Sequence, residues 1–382
     1  MEIKKVFVLL ITTFTVTGCI TEFHATLAPD ESSMLFVEGN IVENTEAVFY
    51  LSRNFPMDSA TAPDESLDIQ AELYIIDSNG NKSQPASYLG MGAYQASVGA
   101  LDDNVEYGIQ IAYNGEIYQS TLSKPLFTPE IDSLSWLQTE EKGPVSIRIS
   151  THHDKDGENF FLWTYDEDWE YTVDFPTTVF YDTLTRNYYE IWPAPYQYCW
   201  RSFQGNSYFM GSMDKHTQQR IVNKELYQIE SRDERLSVLY SVHVVQQAIS
   251  RKAFEYYHSF KELNEAMGGL FTPQPTSIDG NVTCVTNPAK RVVGYVEVIK
   301  NITHKRLFVD RNHLTRPLYY DDCDEHYANR LADIVSLPEF CKSGYRPATN
   351  IETFFWAYTK CTDCRRKGGS KEKPDFWPNS HQ

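Results

Sequence analysis

Between Met34 and Pro129 the chain is written in short runs of alternating apolar and polar residues, each closed by turn-forming residues. No other feature limits the fold as much, because side chains on a strand point to opposite faces with a period of two. Leu35-Phe36-Val37, Ala47 to Leu51, Ala71 to Asp77 and Tyr107 to Tyr113 are runs of this kind. Asn114-Gly115 then separates Tyr113 from Ile117-Tyr118. An Asn-Gly pair between alternating runs is the strongest short signal for a β-hairpin. About seven strands in about 100 residues predict an immunoglobulin-like β-sandwich over residues 34–129. It holds no cysteine, so an inter-sheet disulfide is excluded. Pro125, Pro129 and the change of pattern near Ile131 mark its end.

Residues 130–382 predict a larger β-rich domain. Val145 to Ile149 alternates, and Phe160 to Val173 is dense in aromatics. Phe161, Trp163 and Tyr165 share one face, and Trp169, Tyr171 and Val173 continue that parity past Asp166-Glu167-Asp168. Lys224 to Ile229 and Leu236 to Ala248 are further strands, and Val292 to Ile299 is expected to form a hairpin with Arg306 to Val309. The spacing predicts one long helix over residues 251–267. Ser250 is its N-cap, and Ala253, Tyr256, Tyr257, Phe260, Leu263 and Met267 form its apolar stripe. Gly268-Gly269 closes it. The tail, residues 315–382, loses apolar periodicity and is expected to be irregular, held by disulfides and by Phe354, Phe355, Trp356 and Trp377.

The start of the chain reads as a targeting segment. Lys4 and Lys5 precede an apolar run from Val6 to Val16, interrupted only by threonines. About 11 residues are too few to cross a bilayer core, which takes roughly 20. Residues 1–18 therefore read as a secretory signal. Val16-Thr17-Gly18-Cys19 matches the lipobox at which bacterial lipoproteins are cut and diacylated, which makes Cys19 the lipidation site and residues 19–33 a linker. No later stretch is apolar enough to span a membrane, so the expected contact is through diacylglyceryl-Cys19.

Beyond Cys19 six cysteines remain: Cys199, Cys284, Cys323, Cys341, Cys361 and Cys364. An even number in an exported chain reads as disulfides, with the pairing left open. Cys361 and Cys364 form a CxxC, but the basic, glycine-containing flank Arg365 to Gly369 is not the strand-then-helix setting of a redox motif. The net charge of −18 disfavours nucleic acid and anionic membrane surfaces as partners. The basic cluster Lys360, Arg365, Arg366, Lys367, Lys371 and Lys373 reads as a solvated tail.

Catalytic chemistry is not evident. There is no Gly-x-Ser-x-Gly elbow, no His-Glu-x-x-His and no phosphate-cradling glycine loop. His152 to Glu158 carries an Asp-x-Asp-Gly, but without the third spaced ligand and closing Glu of a calcium loop it reads as a polar turn. Trp163, Tyr165, Trp169 and Tyr171, with the nearby acids, offer two readings: a ligand platform for sugars, or the inner face of a sheet. Asp166 and Glu167 are adjacent on a strand and so point apart, which argues against their acting as the two acids of a glycosidase. The expectation is no catalytic residue, no metal and no cofactor.

Several segments taken in order carry a resemblance. They are Leu35 to Gly39, Gly92-Ala93-Tyr94, Phe161 to Tyr171, Cys199-Trp200, Tyr240-Ser241-Val242, Gln246 to Ser250, Ala253 to Tyr257, Leu270 to Pro273, Gly280-Asn281, Val293-Gly294-Tyr295, Cys361 to Arg365 and Lys373 to Trp377. This series resembles a Bacteroidota lipoprotein family described as domain of unknown function 4249. The resemblance implies an outer-membrane, lipid-anchored protein with an immunoglobulin-like domain and a larger β-rich one. It also implies an accessory role beside a TonB-dependent transporter, in capturing or admitting nutrients, with no catalytic residue to carry over. Only Glu22 follows the lipidated cysteine closely, which leaves the cell-surface and periplasmic faces both open. A structural envelope protein is a further alternative.

Overall fold

The computed structural model describes residues 34–53, 69–152, 160–182, 184–185, 187–205, 207–213, 220–266, 280–315, 344–350 and 353–378. The protein is mostly β, with one long helix and a disulfide that ties in the C-terminal tail.

The first sandwich begins with β1 (Leu35–Glu38), β2 (Ile41–Val42), β3 (Glu46–Arg53), β4 (Glu72–Asp77), β5 (Ser87–Gly90), β6 (Ala93–Ser97), β7 (Tyr107–Tyr113) and β8 (Glu116–Ser120). The alternation sorts side chains as expected. Leu35, Val37, Ala47, Phe49, Leu51, Tyr94 and Ala96 turn inward from one sheet, and Leu73, Ile75, Ile109, Ile111 and Tyr118 meet them from the other. Asn114 and Gly115 both take positive φ and join β7 to β8, with Tyr113 opposite Glu116. Both positions of this tight turn need that left-handed backbone, which Asn and Gly adopt at least cost.

The second region opens with β9 (Ile131–Gln138), β10 (Val145–His152) and β11 (Phe160–Thr172). It continues through β12 (Val179–Asp182), β13 (Asn187–Glu190), β14 (Tyr198–Gln204), β15 (Phe209–Ser212), β16 (Arg220–Ile229) and β17 (Leu239–Ile249). Helix α1 (Arg251–Ala266) follows at once. Its cap is the expected one, with Ser250 Oγ accepting from the Ala253 amide at 3.1 Å. Ala253 is fully buried, in a cluster with Phe160, Leu162 and Ile249. Met267 and Gly268-Gly269 lie outside the described residues.

The chain then returns to the first sandwich, which corrects the expected boundary and the expected hairpin. β18 (Val282–Cys284) pairs antiparallel with β8, while β19 (Val292–Gly294) and β20 (Val298–Ile299) run parallel to β1 and β2. Val282, Cys284, Val296 and Val298 complete the first core. β21 (Thr303–Asp310), expected to pair with Val292 to Ile299, joins β17 instead. The physical reason is edge protection: without β18 and β19, β8 and β1 would leave their backbone groups unpaired at the sheet edges.

The second core lies between the sheet β16-β10-β9 and the sheet β14-β11-β17-β21. The tail is less irregular than expected. β22 (Tyr345–Asn350) and β23 (Thr353–Tyr358) form a hairpin, followed by the four-residue helix α2 (Thr359–Thr362). Among the described residues no helix is long and apolar enough to cross a membrane.

Candidate functional site

The aromatic stretch on β11 is core, not platform. Trp163 and Tyr171 are fully buried and Trp169 is 8% exposed. Trp163 Nε1 donates to Gln246 Oε1 at 2.8 Å, and the Gln246 amide donates on to the Pro129 carbonyl at 2.8 Å. Tyr171 Oη donates to the Cys364 carbonyl at 2.6 Å. Tyr165 is half-buried and packs against Tyr227 and Phe209, with ring centroids 5.0 and 5.5 Å away. No ligand can stack on the two tryptophans without opening the core, so Trp163, Trp169 and Tyr171 form the inner face of a sheet and not a sugar platform.

The acids interleaved with these rings are spent on structure. Glu167 has the core-facing parity of β11 and is 3% exposed. It accepts from Arg235 Nη1 at 2.7 Å and from the Tyr240 hydroxyl, which in turn meets the Tyr227 hydroxyl. Asp233 holds the other side of the same guanidinium, with Nη2 to Oδ2 at 2.8 Å. Asp168, on the opposite face, accepts from Ser202 Oγ at 2.6 Å and from Arg306 Nη1 at 3.0 Å. Glu170 accepts from Trp377 Nε1 at 3.1 Å. Burial pushes the Tyr240 phenol well above its ordinary value, and the charges of Tyr227 and Glu167 add to the push. A buried charge needs such partners to be tolerated. No two of these carboxylates face one another across a cleft.

The cysteines sort into three groups. Cys199 and Cys364 are bonded, with Cα atoms 5.6 Å apart. Cys361 is also disulfide-bonded. Cys323, Cys341 and the lipobox Cys19 lie outside the described residues. Cys284, counted among the bridging cysteines from its number alone, is instead free and buried in the first core, where β18 has carried it. The basic cluster is largely solvated, with Arg365, Arg366, Lys371 and Lys373 exposed, and it has local anchors: Arg365 pairs with Asp363 at 2.7 Å, and Lys371 Nζ donates to the Tyr198 carbonyl at 2.7 Å.

Histidines do not assemble a metal centre: among the described residues no group of three or more ligating side chains occurs. His243 Nε2 and His304 Nδ1 lie 3.2 Å apart on the outer face of β17 and β21, with Asp166 at 3.9 Å from His243. Burial lowers the His243 pKa, and the charges of Arg306 and His304 lower it further. Of the Asp-x-Asp-Gly turn only His152 is described, and its ring meets Asp132.

The concave site lies elsewhere, where α1 crosses the outer face of the first sandwich. Phe36 and Glu38 alternate outward from β1, and register places them beside Ser52 and Tyr50 of β3. Tyr256, Tyr257 and Phe260 descend from α1, while Tyr208, Val293 and Tyr295 close the sides. The cavity measures about 290 Å³. A depression of about 500 Å³ beside Gln70 to Glu72 and Ala112 to Ile117 is larger, but it is open along one side. The smaller cleft is the better candidate, because small-molecule sites are concave, largely apolar and common at domain junctions.

Its rings are steeply inclined. Tyr256 meets Tyr257 at 74° and Phe260 at 58°, and Tyr208 meets Tyr257 at 62°. With centroids 5.2 to 5.4 Å apart these rings touch one another, and the wall is a packed aromatic cluster. Burial raises the pKa of Tyr208, Tyr256 and Tyr257, so all three phenols are neutral at physiological pH. The helical stripe places Tyr256, Tyr257 and Phe260 on one side of α1, but nothing local pairs them with β1 and β3, more than 200 residues away in sequence.

A protein-family model described as Domain of unknown function (DUF4249) matches residues 20–305, about three quarters of the chain. No curated protein matches the chain.

Proposed function

The chain belongs to the DUF4249 family, and from that premise we propose that it is a non-catalytic, lipid-anchored binding protein of the outer membrane. It serves as the ligand-capture or partner subunit of a TonB-dependent nutrient transporter. The observation that carries this reading is the tyrosine-lined cleft at the junction of the two sandwiches, with its walls drawn from β1, β3, β19 and α1. Rigid elements on three sides form a preorganised pocket, which lowers the cost of ordering a ligand.

The commitments of the β11 acids support binding over turnover. Glu167, Asp168 and Glu170 are committed to internal partners, so they are not available as acid or base. The Val16 to Cys19 lipobox supports tethering by a diacylglyceryl group, and the acidic body supports a soluble module on that tether. A single lipid-modified terminus leaves the binding surfaces free to meet a membrane-embedded partner.

Fractionation of cells tests the tether. The wild-type chain is expected in the detergent-extracted outer-membrane fraction, and Cys19→Ala in the soluble fraction with an unchanged melting curve. A Cys19→Ala protein that still sediments with outer membranes would overturn the lipid anchor.

A further inference from the structure

We propose that the cleft takes a small soluble organic cation, an alkylated ammonium group, with Glu38 as its counter-charge. This deepens the capture reading and rests on it for the biological role of the site, though not for its chemistry.

Charge is the first reason. Among the described residues that line the cleft, Glu38 is the one that carries a charge, and none of them is Lys, Arg or His. Some carboxylates of the protein are matched internally, as Glu43 is with Lys300, Glu116 with Lys290 and Glu167 with Arg235. Glu38 makes no ion pair among the described residues. It stands directly opposite Tyr50 in register, at the mouth of the cleft. The charge that its surroundings would accept is positive, and the acidic body of the protein draws cations toward the cleft.

Ring geometry is the second reason. Tyr256, Tyr257 and Tyr208 are inclined to one another by 62° and 74°, and Tyr295 lies 5.4 Å from Tyr256. The ring faces that this wall leaves toward the cleft are negative and attract a cation, and alkylated ammonium groups are recognised in this way. Such a group is weakly hydrated and large, so it gives up little on entering a cavity of about 290 Å³.

Hydrogen-bonding capacity separates this ligand from a sugar, which needs many donors and acceptors around its rim. The Tyr208 hydroxyl already donates to the Tyr257 carbonyl at 2.9 Å, and the Tyr295 hydroxyl is engaged with Ser250 Oγ at 3.1 Å. What remains is the Glu38 carboxylate, Ser52 and the hydroxyls of the other tyrosines.

Calorimetric titration of the purified mature chain tests the proposal with four probes: choline, its uncharged carbon isostere neohexyl alcohol, glucose, and phosphatidylcholine vesicles. The expected result is saturable choline binding that weakens with salt, with neohexyl alcohol bound about tenfold more weakly or worse. Glu38→Gln and Tyr50→Ser, both at the exposed mouth, should each weaken choline about tenfold while leaving the melting curve unchanged. Equal binding of the isostere, binding of glucose alone, or binding of vesicles without free choline would each overturn the proposal. So would no binding of any probe by the folded protein. The wider reading fails separately: a choline-binding protein that purifies from native membranes alone loses the transporter but keeps the site. A protein that purifies with a transporter but binds no probe loses the ligand class only.

Discussion

Arg235 donates to Glu167 across 2.7 Å, and Glu167 is a carboxylate placed on the inward face of a strand whose neighbours on that face are Tyr165 and Trp169. The pair explains how an acid is tolerated between two core aromatics. Removing the cation alone should therefore cost more than removing both partners. Arg235→Met is expected to lose about 3 kcal/mol of unfolding free energy, because it strands a buried charge. The double variant Glu167→Gln with Arg235→Met should recover much of that loss. Urea denaturation of the two single variants and the double variant measures the coupling.

The hydroxyls above that pair set the alkaline limit of stability. Burial raises the Tyr227 and Tyr240 phenols, and the charge of Glu167 adds to the effect in both. The folded state therefore holds protons that the unfolded chain releases near the ordinary tyrosine value, about 10. Above that pH the folded state binds more protons than the unfolded one, so unfolding free energy falls as pH rises. The contribution is fully present below about pH 10 and lost above it. Tyr227→Phe should flatten this alkaline slope, as read by denaturation midpoints across the pH range.

The tail is fastened by a bond that spans 165 residues of sequence, from Cys199 on β14 to Cys364 after α2. Tyr171 adds its hydrogen bond to the Cys364 carbonyl, and Trp377 adds one to Glu170. Closing so long a loop restricts the unfolded chain, and Cys364→Ser should cost about 2–5 kcal/mol. Limited proteolysis should then cut between residues 344 and 378 first, with the first sandwich intact.

The return of the chain to the first sandwich depends on a close backbone approach. A Cβ placed on Gly294 would overlap the Val37 carbonyl oxygen, and one on Gly280 would overlap the Gly294 carbonyl oxygen. Gly294→Ala should push β19 off β1 and cost about 1–3 kcal/mol, as overpacking does. Hydrogen exchange at the amides of β1 should rise, while exchange in β11 and β17 stays as it was.

Elements with a strong local period were legible. Helix α1 was marked by a stripe from Ala253 to Leu263 and a capping Ser250, and the β7–β8 hairpin by Asn114-Gly115. The parity of β11 already put Glu167 on the side of Trp163 and Trp169, and only an acid among core aromatics signalled a buried pair. What was not legible depends on distance along the chain. β18, β19 and β20 are two or three residues long, too short for a period, and their partners lie about 160 to 260 residues earlier. Cys284 follows from the same return, since its place in a core rather than a bridge is decided by β8. The cleft escaped for this reason too: its rings come from separate segments, and each reads locally as ordinary strand or helix.

Purification of the native protein from detergent-solubilised outer membranes, under conditions that keep its disulfides intact, decides whether it works with a transporter. The expected result is recovery in a stoichiometric complex with a TonB-dependent transporter. Recovery of the chain alone from membranes that contain such transporters would contradict it.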